Sequence, residues 1–321
     1  MWPAFLDALF LQAGYNAGLV AIGAGLLGMA AGSTGSFLFL RKRALVSDAL
    51  AHATLPGICI AFMVMVWLGG SGRNLGGLLA GSAISAGIGV LVVHWLSSRT
   101  RLPEDAAIGA VLSSFFGFGV VLLTVIQTMR SGYQAGLEGF LVGSTAGMLL
   151  EDAMLIAVGG ALSLLFVILF RRPLTLVSFD PEFAATIGVR VRGTDIAMML
   201  LVMAVTVIGL KIVGLVLIVA LLVIPPVAAR FWSDRVEHVV LLAGVIGGVS
   251  GYVGACLSAS APSLPTGPVI VLTGTSVFVI SLLFSPRRGL LARVWRRRRF
   301  EERLQDLERE RLDGERLPEA G

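Results

Sequence analysis

With 321 residues, 56% of them hydrophobic and only 14% charged, the chain falls well short of the roughly 25% charged content of soluble domains and belongs to the membrane class. Its formal net charge of +5 does not indicate nucleic acid, because much of the surplus is arginine set between apolar runs and in the C-terminal stretch. An anionic inner leaflet accounts for that placement better. The two cysteines, Cys59 and Cys256, both lie in apolar runs and read as small buried hydrophobes rather than a disulfide framework or a CxxC metal site.

Taken in chain order, the opening MWPAFLDALFLQAGY lacks a basic region and carries Asp7 in its apolar stretch. A short interfacial helix is expected there, not a cleaved signal peptide. A span needs roughly 20 apolar residues, which predicts crossings over 18–40, 48–68, 74–96, 106–129, 153–170, 239–257 and 268–285. The segment RSGYQAGLEGFLVGSTAGMLLED is too polar for a span and too apolar for a free loop, so 131–150 reads as re-entrant or as a cap. Its Glu138, Glu151 and Asp152 are expected to face water.

Loop charges orient the bundle. Arg41, Lys42 and Arg43, then Arg99 and Arg101, then Arg171, Arg172, Arg190 and Arg192, then Arg230 and Arg235 fall on one side, while the other breaks carry only Arg73, Arg130 and Lys211. The first set is therefore cytoplasmic. The apolar stretch between 196 and 229 is flanked by cytoplasmic loops at both ends, so it must cross twice, turning at Lys211. Pro225 and Pro226 are expected to interrupt its second half, and helices broken inside the membrane are tolerated where they line a path.

The fold class is thus an all-α polytopic membrane bundle of eight to nine crossings, nine unless the 196–229 pair is re-entrant, with the N-terminus outside and the C-terminus cytoplasmic. Residues 1–286 form the transmembrane domain, and 287–321 a charged tail, helical in part. Glycine pairs four apart, Gly14/Gly18, Gly28/Gly32, Gly77/Gly81, Gly244/Gly248 and Gly247/Gly251, suit close helix packing.

Ionisable residues inside spans are by default functional candidates. Asp48 and His52 lie four apart on one face of the second span, and a carboxylate beside an imidazole suits Mn²⁺, Fe²⁺ or Zn²⁺. Against this stands a capping reading, with Ser47 or Asp48 as N-cap and His52 facing back toward it. Pro56 and Gly57 follow one turn later and loosen the helix just past the pair. His94 and His238, near cytoplasmic helix ends, read as interfacial.

In the longest inner loop, Asp180, Pro181 and Glu182 give a cap, an N1 proline and an acidic first turn, with Gly188 as a stop. The short helix so defined carries Phe179 and Phe183. It reads either as a connector or as a docking element, and the aromatics favour docking.

The runs RALVSDALAHATLPGICIAF, SFDPEFAATIGV, IVGLVLIVALLVIPPVAAR and PTGPVIVLTGTSVFVISLLFSP resemble, in order and position, the membrane permeases of manganese, zinc and iron ABC importers, the ABC class 3 metal permeases. The similarity covers roughly residues 14 to 286. It implies that Asp48 and His52 contact the translocated metal, and that Phe179, Asp180, Pro181, Glu182, Phe183 and Ala184 form the helix that fits a cleft in the ATPase. Pro56, Gly57, Pro225 and Pro226 are pathway or hinge positions.

Ser47 stands where the family commonly has glycine and Ala51 where it has serine; neither change removes a ligand. No GxxxxGK[ST] loop is present, so ATP hydrolysis is expected on separate subunits, and the chain is not itself an enzyme. The implied partners are cytoplasmic ATPases, an extracytoplasmic metal-binding protein, a second permease (identical or a related paralogue) and the bilayer. No permanent cofactor is expected, only the transported Mn²⁺, Zn²⁺ or Fe²⁺, in a bacterial plasma membrane. The rival reading is an ion-coupled secondary transporter, which calls for several coupled carboxylates inside the spans.

Overall fold

The computed structural model describes residues 2–70, 72, 74–128, 148–261, 264–286, 289–292, 300 and 303. Most of 131–150, including Glu138, and nearly all of the charged tail lie outside the described residues. The elements are α1 (Trp2–Leu9), α2 (Tyr15–Leu40), α3 (Leu45–Trp67), α4 (Leu75–Arg99), α5 (Glu104–Thr128), α6 (Leu150–Leu169), α7 (Arg171–Phe179) and α8 (Pro181–Thr186). They continue with α9 (Val191–Leu210), α10 (Val213–Trp232), α11 (Val236–Ala259) and α12 (Thr266–Phe284).

Among the described residues nine helices, α2 to α6 and α9 to α12, are long and apolar enough to cross a membrane, in agreement with the nine-crossing expectation. The helices make the chain a multi-pass membrane protein. α1 is the expected short N-terminal helix, pinned to α11 by the Tyr252 hydroxyl donating to the Leu9 carbonyl at 2.7 Å.

The paired crossings are resolved as a hairpin. Gly214 alone breaks the helical backbone between Val191 and Trp232, with φ 78° and ψ 172°, a region open essentially to glycine. A Cβ added at Gly209 would strike the Ile218 side chain, whereas a straight helix would hold these two residues about 13 Å apart. The turn thus falls around Lys211 as expected. The prolines do not behave as expected: α10 stays helical through Pro225 and Pro226. Both are buried, and Pro225 packs toward Gly32 and Gly247, so neighbouring helices support the segment where the prolines weaken its own hydrogen bonding.

The centre of the bundle is α2, which packs most extensively on α11 and then on α10 and α6. Lipid tails are as apolar as leucine, so helix association in the membrane depends on close backbone approach. A Cβ at Gly28 would collide with the Gly247 carbonyl, and one at Gly247 with the Gly28 carbonyl. A second such contact, Gly57 against the Gly81 carbonyl, seats α3 on α4. Gly14 and Gly18 take no part in such a seam.

The stretch after α6 folds as the helix α7, whose Leu174 and Val177 are buried, and one local expectation changes. Asp152 does not face water: it is buried, and its Oδ2 accepts from the Leu149 backbone N–H at 3.1 Å at the start of α6.

Candidate metal pathway and coupling helix

The capping reading of the α3 start does not hold. The helix begins at Leu45 behind Ala44, whose side chain makes no cap. Ser47 and Asp48 already lie inside it, the buried Ser47 hydroxyl donating to the Ala44 carbonyl at 2.6 Å. Asp48 occupies the first turn, where the exposed backbone N–H groups favour a carboxylate.

One turn on, His52 Nε2 stands 3.4 Å from Asp48 Oδ1, so the two side chains share a face. The pair is half open: the Asp48 side chain is 36% exposed and that of His52 19%. The His52 ring is held edge-on by Phe116 of α5, with centroids 4.7 Å apart and planes at 79°. Its Nδ1 is buried without a hydrogen-bond partner. Pro56, inside α3, has no N–H to offer the His52 carbonyl, which loses its helical bond.

Among the described residues no group of three or more His, Cys, Asp or Glu converges on a point. Asp48 and His52 therefore stand as a two-donor pair. A carboxylate and an imidazole together offer donors of the kind that suit a borderline divalent ion, two short of a four-coordinate set. His238 lies elsewhere, lining a crevice of about 480 Å³ between α2, α6 and α11 with Arg171 and Glu237.

The FDPEFA segment folds as predicted. Asp180 caps α8, its Oδ1 accepting from the Phe183 N–H at 2.8 Å, with Pro181 at the first helical position. Gly188 ends it at φ +85°, and the Val189 N–H reaches back to the Ala184 carbonyl at 2.9 Å. Ala184 is fully buried, anchoring the helix, while Phe179 and Phe183 are more than half exposed.

Sequence reasoning missed one polar set. Arg41 and Arg43 served there only to fix topology, and Asp195 and Glu104 were not singled out. In the structure Arg41 and Arg43 both pair with Asp195, and Arg43 also pairs with Glu104. Opposite charges at three helix boundaries on one predicted side were the available signal. The contacts also place the α2–α3, α4–α5 and α8–α9 connections at one end of the bundle, as the loop charges required.

Residues 16–285 match the model of the ABC 3 transport family. The chain belongs to that family. Family membership makes it an ABC transporter permease, a transport subunit.

Among its relatives, the manganese transport system membrane protein MntC of Bacillus subtilis is 39% identical over 298 residues, covering 92% of this chain and 67% of its own. The zinc transport system membrane protein TroC of Treponema pallidum is 39% identical over 280 residues, covering 87% of this chain and 92% of its own. Of solved structures, PsaBC from Streptococcus pneumoniae in complex with Fab superposes with a TM-score of 0.76 at 27% identity, covering 90% of this chain and 98% of that one.

Proposed function

We propose that this permease carries a divalent transition metal, Mn²⁺, Zn²⁺ or Fe²⁺, inward through a path at the interface of two permease subunits, driven by ATP hydrolysis on separate subunits. The observation that carries the reading is the half-open Asp48–His52 pair on α3, supported by relatives named for manganese and zinc transport. Its orientation, with the N-terminus outside and α8 cytoplasmic, rests on the arginine-rich connections gathered at one end.

In this reading an extracytoplasmic binding protein delivers a largely dehydrated ion at the outer mouth. Asp48 supplies a hard anionic oxygen and His52 a borderline nitrogen, so the site tells a transition metal from Ca²⁺ or Mg²⁺, which prefer oxygen alone. With only two strong donors the ion is released as readily as it is held. α8, with Phe179 and Phe183 exposed around a capped helix, docks on the ATPase and transmits its closure. The ion-coupled alternative draws no support from the family, and among the described residues no three His, Cys, Asp or Glu side chains come together.

The test is metal uptake by cells carrying Asp48→Ala or His52→Ala. Each should abolish uptake while the permease still co-purifies with its ATPase. Normal uptake in both variants would remove the pair from the pathway.

A further inference from the structure

Three connections far apart in sequence meet at the end of the bundle that carries α8. Arg43, in the turn between α2 and α3, directs Nη1 at both carboxylate oxygens of Asp195, at 2.8 and 2.9 Å, and Nε at Glu104 Oε1, at 2.7 Å. Arg41 adds a second guanidinium to Asp195. The four side chains, two cationic and two anionic, are between 11 and 31% exposed. They are shielded enough for charge-assisted pairing to survive salt and water better than a surface pair does.

The backbone is bent to make this arrangement. Lys42 adopts φ +59°, uncommon for a residue with a side chain. The Arg43 N–H bonds the Leu38 carbonyl at 2.9 Å and the Lys42 N–H the Phe39 carbonyl at 3.0 Å, a helix ending that usually takes glycine. The turn leaves Lys42 exposed and the two arginines flanking it on one carboxylate.

Each partner sits at the root of an element of the transport path. Asp195 lies in the opening turns of α9, directly after α8. Arg43 immediately precedes α3, which carries Asp48 and His52. Glu104 is the first residue of α5, whose Phe116 rests on the His52 ring.

We propose that Arg43 is the positioning residue through which displacement of α8 reaches the metal pair. Through Asp195 it ties α9, the helix that follows α8, to the root of α3, and through Glu104 it ties the same point to α5. The two helices flanking the pair then follow α8 together. This rests on the permease reading above. α3 also packs against the α9–α10 hairpin, and that packing is untouched when Asp195→Asn removes the charge at nearly constant volume, so the substitution isolates the ionic tie.

The experiment uses the whole complex, permease and ATPase, in proteoliposomes with its metal-loaded binding protein. It measures metal moved per ATP hydrolysed, with Mn²⁺, Zn²⁺ or Fe²⁺, whichever the wild-type complex moves. Asp195→Asn should lower that ratio about tenfold, inside the roughly 5- to 150-fold range of coupling between sites. ATPase co-purification and metal affinity of the solubilised complex should be retained, and Asp195→Glu should restore the ratio. An unchanged ratio in Asp195→Asn overturns the relay. If that variant does not assemble, Glu104→Gln, which cuts only the α5 branch, is read the same way, and an unchanged ratio there also overturns it. A wild-type complex that hydrolyses ATP but moves none of the three metals overturns the metal-transport reading, and the relay with it.

Discussion

Replacing Asp180 with alanine removes the side-chain cap from a helix of six residues. Isolated helices shorter than about 12 residues are marginal in water, and within α8 only Ala184 is buried, so packing supplies little compensation. Loss of an Asp cap costs about 1 kcal/mol, which shifts the helix-to-coil ratio about fivefold, and the apparent affinity of a partner falls with the fraction of its target that is preformed. The dissociation constant between permease and ATPase should therefore rise, by about fivefold at most. Titrating labelled ATPase into the permease in nanodiscs measures this directly for Asp180→Ala, Asp180→Asn and Asp180→Ser. Asparagine and serine cap as well as aspartate, so both should bind like the wild type. The reasoning fails if Asp180→Ala binds unchanged, and equally if Asp180→Asn is as weak as Asp180→Ala, because charge and not the cap would then be what matters.

Two further outcomes follow from the packing. Phe183→Glu puts a carboxylate where a half-exposed phenyl ring is proposed to enter the ATPase; the ATPase should be lost from a permease pull-down, and undisturbed co-purification would count against docking by α8. Gly28→Ala drives a methyl into the Gly247 carbonyl and should destabilise the solubilised permease by about 1–3 kcal/mol, read as a lowered Tm. Gly109→Ala on α5 meets nothing within 4 Å and should leave the Tm near that of the wild type; equal shifts in the two would refute the seam.

What was legible in the sequence was what depends on local pattern. Hydropathy located the spans because a crossing is a run of one composition, and the Asp180–Pro181–Glu182 signature located α8 because a cap is decided within four residues. Asp48 and His52 were found by spacing, but whether they cap α3 was not legible, since that depended on where the helix begins. Equal glycine spacing meant different things: Gly28 and Gly247 meet backbone to backbone, whereas Gly14 has nothing within 4 Å. The Arg43–Asp195 pair joins residues 152 positions apart, and Phe116 reaches His52 from another helix. No periodicity reports such contacts. Pro225 and Pro226 misled because a proline's tendency to break a helix is a property of the isolated segment, and here α2 and α11 enclose it.

The openness of the pair bears on how such a path works. Leu45 at the start of α3 is exposed and by helical spacing shares the side that carries Asp48 and His52, and Asp48 itself is 36% exposed, so the single chain leaves its two donors partly uncovered. Four-coordinate Zn²⁺ would be half satisfied there, and the remaining positions fall to water or to whatever packs on that face. In the proposed pathway a second permease is that covering surface. Its approach excludes water and strengthens the Asp48 charge on the ion, and its withdrawal lets water compete for the ion again. Affinity is then set by the separation of two subunits rather than by the ligands of one. A cycle driven at α8 can change that separation without breaking a metal–ligand bond directly. A complete four-ligand site within one chain would hold the ion in every conformation, and the ATPase would have no state in which to release it.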